Sequence, residues 1–481
     1  MQAGKQRATR AVVISDIHLA NGQPDMISNP ATLTQFITQL PHIFPVDTAA
    51  REQLELIIAG DFIDYLNIQE YAAWTPDPAL AVRKLTDVTD RSQFAPVFDA
   101  LAEHVGRGHR LTILLGNHDV ELALPQVQAA FLSRLSASPH DVHYVMDGRA
   151  YRLGRALIEH GNRYDDANAN DWTGLRSIVS ALSRGEHAPV ELEVSAGSKL
   201  VIKVVNPLKD TYPFVNLLQP VGELLLLLLL EFEPALAWQV DMLGRLLNSK
   251  RLAERNRLGQ QPRATRNVSA GGEGAGGPTP SASEPDPELL ALFGDSYRQL
   301  HGQANANVAA GDVLSLLVRP GRDGLASYFD RNEPVPIERL KKIRAALKRI
   351  IDSDRSPNVD VADGPCGAAA TRLLTQSPEL QAVVMGHTHL PRCARTGGGI
   401  YLNSGTWIDR LRIPHEVLAD GEERALEGYL RDLKADRRSP CPPTCAELRI
   451  DGGGDVREVS LHEVTLSGPQ IELHTLRGAT P

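Results

Sequence analysis

An α/β fold of two stacked sheets flanked by helices, interrupted by one large and mainly helical insertion, follows from three features of this 481-residue sequence. Short runs of Val, Ile and Leu stop abruptly at clusters of Asp, His, Asn and Gly. Helical stretches alternate with the first of these runs, and one gap between two runs is far longer than a connection requires.

The runs are AVVISDIH, LELIIAGD, LTILLGNHD, ALIEHGN and, much later, QAVVMGHTH. Uninterrupted apolar stretches of that length read as strands buried on both faces, and α/β folds gather their sites at the C-terminal ends of such strands. Stretches 31–40 and 94–106 read as the helices between them. The 227 positions from His160 to His387 exceed any loop, so they hold an inserted unit. The expected organisation is a core over 1–195, an insertion over 196–379 and the rest of the core over 380–481.

Within the insertion, residues 207–258 read as apolar helices closing on a basic one, and 259–287, dominated by Gly, Pro, Ser and Ala, read as disordered. A further helix over 335–352 carries Ile337, Leu340, Ile343, Leu347 and Ile351 on one stripe. Its other face carries Lys341, Lys342, Arg344, Lys348 and Arg349, either solvated or facing phosphate or lipid. After QAVVMGHTH, IYLNSGTW reads as another strand. The alternating segments CAELRI, REVSLHEVTL and QIELHTL read as antiparallel strands closing the second sheet.

A net charge of -9 and a pI near 5.9 argue against a surface built chiefly to neutralise nucleic-acid phosphates, while a local basic groove stays open. The apolar run Ala11–Ile14 is too short for a signal peptide, and the seven leucines Leu224–Leu230 fall well short of the roughly 20 residues that span a bilayer. The expected location is cytoplasmic without a transmembrane segment, peripheral membrane contact through the leucine-rich insertion remaining open. Four cysteines, Cys366, Cys393, Cys441 and Cys445, fit a reducing compartment and give no disulfide framework.

Singly, an Asp-x-His or a Gly-Asn is unremarkable, since either can simply make a turn. Five such clusters, each after an apolar strand and each offering oxygen or imidazole ligands, point to a metal centre. The order and spelling of DIH, GDFID, GNHD, EHGN and GHTH resemble the calcineurin-like metallophosphoesterase superfamily over about 10–165 and 380–410. The resemblance implies a two-sheet sandwich with a binuclear centre at the strand ends. One cation would be held by Asp16, His18, Asp61 and His389, the other by Asp61, Asn117, His160 and His387, with Asp61 bridging. It implies hydrolysis of a phosphate ester or anhydride by a hydroxide bridging the two ions. His118 would contact the reacting phosphate and serve catalysis with Asp119 orienting its ring, and Asn162 and Tyr164 would touch substrate. Mixed oxygen and nitrogen ligation favours manganese, iron, zinc or nickel over magnesium, with manganese the leading candidate.

GDFIDYL, the helical insertion and NSGTW are similar to the branch that includes UDP-2,3-diacylglucosamine pyrophosphatases, although GNHD has His118 where that pyrophosphatase carries another residue. The expected substrate is a phosphorylated small molecule or lipid-linked phosphate beneath a leucine-rich lid. A nuclease gripping nucleic acid through basic helices is the alternative, against which the low aromatic content of 5% counts. A non-catalytic scaffold conflicts with the complete ligand set.

Overall fold

The computed structural model describes residues 7–217 and 324–481, apart from 23–24, 69–70, 72–73, 196, 199–200, 203–205, 210, 215–216, 354–357, 412 and 436–439. The leucine run, the basic helix read before 258 and the low-complexity stretch 259–287 lie outside the described residues.

The apolar runs become a parallel set, β1 (Thr9–Ile14), β2 (Gln53–Ala59) and β3 (Arg110–Leu114), extended by β4 (Val142–Val145). The second sheet is built from β5 (Tyr151–Leu153), β6 (Ala156–Ile158), β7 (Ala382–Met385), β8 (Arg392–Thr396) and β9 (Gly399–Asn403), in the order β5-β6-β7-β9-β8. Here β6, β7 and β9 are parallel, so residues from before and after the insertion lie on adjacent strands. The tail supplies β10 (Thr444–Ile450), β11 (Val456–Ser467) and β12 (Gln470–Ala479).

These last strands correct an expectation. They do not close the second sheet: β10 pairs antiparallel with β1, and the first sheet runs β12-β11-β10-β1-β2-β3-β4. The second sheet is completed instead by the β8–β9 hairpin, joined at Gly397 and Gly398. The edge of β1 not taken by β2 needs a partner for its amides, and β10 provides it.

Among the described residues the helices of six residues or more are α1 (Pro30–Ile43), α2 (Pro78–Thr89), α3 (Ala95–Gly106), α4 (Pro125–Arg134), α5 (Trp172–Ser183), α6 (Leu325–Asp330), α7 (Ile337–Ser353), α8 (Gly364–Gln376) and α9 (Glu423–Lys434). Alternation along each strand sorts its side chains between layers. From β1, Ala11 and Val13 meet Ile57, Val384, Ile400 and Leu448 between the sheets. Val12 and Ile14 face the other way, into a core with Phe36, Phe98 and Leu101 of α1 and α3. On the outer face of the second sheet, Val383, Met385 and Tyr401 pack under Cys366, Ala370 and Leu374 of α8. α8 thus belongs with the sheets, although it falls inside the stretch 196–379 assigned to the insertion from sequence.

The chain divides into two compact units, one holding both sheets with α1–α5 and α8, the other holding α6 and most of α7 and α9. In the second unit Leu340, Ile343 and Leu347 of α7 are buried as the stripe predicts, while Ile337 is 37% exposed. The basic face of α7 is largely neutralised within that unit. Arg344 pairs with Glu423 at 2.6 Å, Lys348 with Asp420 at 2.8 Å and Lys341 with Glu338 at 2.8 Å. Among the described residues no helix is long and apolar enough to cross a membrane.

Candidate metal centre

Every expected ligand follows the C-terminal end of a strand: Asp16 and His18 after β1, Asp61 after β2, Asn117 after β3, His160 after β6, His387 and His389 after β7. Asp16, His18, Asp61, His387 and His389 all take left-handed backbone angles, with φ between +53° and +68°. For residues other than glycine that conformation costs about 1–3 kcal/mol each and persists only where surrounding bonds impose it. Those bonds are present. Asp61 O accepts from Ile17 N and His18 N at 2.9 Å, and Asp16 O accepts from Thr406 Oγ1 at 2.7 Å and Trp407 N at 3.1 Å.

Two glycines are required by close approach rather than by φ. A Cβ on Gly116 would fall on the Asp61 carboxylate and 2.5 Å from its backbone nitrogen, and one on Gly386 would lie 2.6 Å from Asp16 Oδ2. Gly116→Ala should therefore displace Asp61 and cost about 10²-fold in rate, the scale of a misplacement near 1 Å. Steady-state kinetics with metal analysis checks this, and an unchanged rate would mean that Asp61 can move without consequence.

The carboxylates and imidazoles converge. His389 Nε2 is 3.2 Å from Asp16 Oδ1, His160 Nε2 is 3.2 Å from Asp61 Oδ2, and His18 Nε2 is 3.7 Å from the same Asp61 oxygen. Ligand atoms of Asp16, His18 and His389 lie within 4.8 Å of one another, as do those of Asp16, Asp61 and His160. The His387 ring stands edge-on to His160, with centroids 5.3 Å apart.

The atoms left without partners are those a cation would need. Asp16 Oδ1, both ring nitrogens of His18, Asn117 Oδ1 and His160 Nε2 are buried and make no hydrogen bond. Leaving such atoms unsatisfied costs about 1–3 kcal/mol apiece, so the donor set fits a metal. Their orientation is fixed from behind. His160 Nδ1 lies 2.8 Å from Ala59 O and can only donate to it, which leaves Nε2 with the free lone pair. Asp61 Oδ1 accepts from His118 N at 2.8 Å, and Asp16 Oδ2 accepts from His387 N at 2.9 Å and from the Ser15 hydroxyl.

Electrostatics point the same way. Burial raises the Asp16 carboxyl, but His389 and His160 outweigh it and hold the pKa at about 2. Against the same effect of burial, His160 and His118 keep Asp61 well below the carboxylate range. Burial depresses His160, yet Asp61 and Asp16 push it up to about 10. The cluster therefore collects positive charge, as protons or as a metal cation.

The expected role of Asp119 changes. Asp119 does not orient His118: it is fully buried, and its carboxylate accepts from Phe62 N at 2.9 Å and Gly116 N at 2.6 Å, bracing the loops after β2 and β3. The ring of His118 is held by Asp64, whose Oδ1 lies 2.9 Å from Nδ1. Burial lowers His118, but Asp64 and Asp61 raise its pKa to about 9. Asn162 and Tyr164 brace the loop after β6. Asn162 Nδ2 donates to Asn168 O at 2.9 Å, and the Tyr164 hydroxyl donates to Glu159 at 2.6 Å. From sequence, Asp64 and Asp165 are residues beside the motifs with two open roles, orienting a ligand or touching substrate. The signal for Asp64 was its place three residues after Asp61, where a one-turn 3-10 helix from Tyr65 to Asn67 begins with Asp64 as its cap.

The loop carrying His118 rests on a buried ion pair. Tyr65 N donates to His118 O at 3.0 Å, and Lys84 Nζ sits 5.1 Å over the Tyr65 ring and 2.8 Å from Glu121 Oε1, with Lys84 and Glu121 both fully buried. Lys84→Met, which strands the Glu121 charge, should cost about 3–5 kcal/mol in denaturant unfolding. A loss under about 1 kcal/mol would mean that Glu121 is neutral in the folded protein, an outcome within reach because burial, against the pull of Lys84, raises its pKa to about 7.

Residues 9–195 match the family model described as calcineurin-like phosphoesterase. Asp16, His18, Asp61, Asn117 and His160 lie inside that match, and His387 and His389 lie beyond it. Among solved structures, Vacuolar Protein Sorting 29 from Cryptosporidium parvum is similar at 18% identity over 25% of this chain, with a TM-score of 0.14. The chain covers 46% of that protein's length. No curated protein matches. The similarity to the calcineurin-like phosphoesterases therefore covers residues 9–195, the segment that supplies five of the seven expected ligands.

Proposed function

We propose that the cluster is a binuclear centre and that the protein hydrolyses a phosphate ester or anhydride on it. Asp16, His18, Asp61 and His389 would hold one cation, Asp61, Asn117, His160 and His387 the other. The observation that carries this reading is the set of buried atoms without a hydrogen bond on Asp16, His18, Asn117 and His160, beside the convergence of Asp16 with His18 and His389 and with Asp61 and His160. When bound, the pair supplies Lewis acidity to the phosphoryl oxygens and lowers the pKa of water at the site toward neutrality.

The chain's own residues do the rest. Asp61 offers Oδ2 to the side of the cluster lined by His18 and His160, while Oδ1 is fixed by the His118 amide. His118, an imidazolium with Nδ1–H directed at Asp64, stabilises negative charge on the phosphoryl group and gives its Nε2 proton to the departing oxygen. Its ring packs edge-on to His18, centroids 4.7 Å apart, which puts it beside the proposed cations. Manganese remains the leading metal of the proposal, with iron, zinc and nickel as alternatives.

The proposed substrate is a phosphorylated small molecule or a lipid-linked phosphate. Against the nuclease alternative, three cations of α7 are already paired with Glu423, Asp420 and Glu338, leaving that helix a poor grip for a polyanion. The test is purification with elemental analysis, followed by hydrolysis assays on phosphomonoesters, phosphodiesters, nucleotide anhydrides and single-stranded DNA. Two transition-metal ions per chain with turnover of a small ester or anhydride is the expected result. A metal-free protein with full activity would overturn it.

A further inference from the structure

The two histidines assigned to the second cation are held by opposite ring nitrogens. His160 uses Nδ1 toward the Ala59 carbonyl, whereas His387 uses Nε2, which lies 3.3 Å from Asp165 Oδ2. An ionised carboxylate only accepts hydrogen bonds, so the hydrogen in the second contact belongs to His387 Nε2. The lone pair of the neutral ring is then on Nδ1.

We propose that Asp165 is a positioning residue for His387, selecting the tautomer and ring orientation in which Nδ1 can bind the second cation. The inference rests on the binuclear reading above. A carboxylate behind a metal-binding imidazole fixes its orientation and raises its basicity. Asp165 is itself restrained, because Oδ2 accepts from Asn168 Nδ2 at 2.7 Å and Oδ1 from Ala167 N at 3.0 Å. Its backbone nitrogen donates to Asn162 O at 3.1 Å, and Asn162 Nδ2 ties back to Asn168 O.

This explains why the loop after β6 is rich in Asn and Asp. Asn162, expected to meet substrate, serves the carboxylate that serves His387. The bracing continues to the end of the first core segment: Gly197 N donates to Ala167 O at 2.7 Å, and a Cβ on Gly197 would fall on the Asn168 amide oxygen. Gly197 is therefore packed against the support of one cation position. His389 has no such support from this loop and faces Asp16 instead. Asp165 should accordingly affect one of the two sites and leave the other alone.

The full-length chain, stripped of metal and titrated with manganese, tests this through binding isotherms and electron paramagnetic resonance, which separates a spin-coupled pair from a single ion. Wild type should fill two sites and give the coupled spectrum. Asp165→Ala should weaken the second site by about 10–100-fold and leave the first unchanged, so that a single-ion spectrum persists where wild type is already paired. Asp165→Asn keeps an oxygen acceptor for His387 and Asn168 and should recover most of the loss. Asn168→Ala, which removes one hydrogen bond to the Asp165 carboxylate and leaves both that carboxylate and His387 in the chain, should weaken the second site by a smaller factor and guards against misfolding of the first variant. Both sites within twofold of wild type in Asp165→Ala would overturn the proposal. So would an Asp165→Asn as damaged as Asp165→Ala, because a direct carboxylate ligand behaves that way. A wild-type chain that binds one ion would overturn the binuclear reading and this inference with it, whereas two ions in wild type with no effect of Asp165 overturns the inference alone.

Discussion

Asp61→Ala should abolish both cation binding and hydrolysis, the largest effect of any single substitution here. Asp61 is the one carboxylate assigned to both cation positions, and its Oδ2 lies 3.2 Å from His160 Nε2 and 3.7 Å from His18 Nε2. Removing it brings partly buried imidazoles and Asp16 together without the charge that draws metal in, and it leaves the His118 amide unpaired. Rate losses of about 10³-fold or more are expected when a metal pair is no longer assembled, since the pair contributes several kcal/mol of transition-state charge stabilisation. Elemental analysis of the dialysed variant should find neither ion at stoichiometry, and a chromogenic phosphodiester should not be turned over. Asp61→Asn makes a useful companion. Its amide oxygen can still accept from His118 N, so it keeps the loop while losing the bridging charge, and it should fail in metal binding with its melting temperature intact. Retention of two ions by either variant would show that Asp61 is not the bridge.

What the sequence discloses depends on how local the determining physics is. β1, β2, β3, β6 and β7 are legible because strands buried on both faces need uninterrupted apolar runs, and their ends are marked by ligand-type residues that nothing structural requires. The tail strands are legible as strands and not in their placement. CAELRI shows the alternation that makes β10, but the choice between the free edge of β1 and the second sheet is a long-range pairing with no local trace. β4, β5 and β8 show no uninterrupted apolar run, since VHYV, YRL and RCART mix polar or charged residues among the apolar ones.

The site follows the same division. DIH, GDFID, GNHD, EHGN and GHTH name residues that the fold does bring into one cluster. Which carboxylate supports which imidazole is not legible, because Asp64 and Asp119 are both near His118 in the chain or in a motif and only the backbone path separates them. Asp119 turns inward to two amides, and Asp64, 54 positions away from His118, reaches its ring. The same holds for Asp165, whose link to His387 spans 222 positions. Left-handed angles at Asp16, His18, Asp61, His387 and His389 are likewise invisible in composition, since Asp and His tolerate that region without advertising it.

His118→Ala should separate chemistry from metal binding. The ring sits beside His18, yet the proposed ligand shells are complete without it, so both cations should remain at wild-type stoichiometry. Loss of a proton donor to the departing oxygen should cost about 10²–10⁴-fold in turnover. The size of that loss should follow the leaving group: an alkoxide, which departs poorly without a proton, should suffer most, and a nitrophenolate, which departs readily, should suffer least. Asp64→Asn should reproduce part of this defect, because Asp64 fixes the His118 ring and supports its charge at 2.9 Å. Combined with His118→Ala it should add little, since two residues acting through one ring are not independent. Loss of a metal ion in His118→Ala would make His118 a ligand. An equal loss on both leaving groups would restrict it to stabilising charge on the phosphoryl oxygens, which needs the imidazolium but transfers no proton.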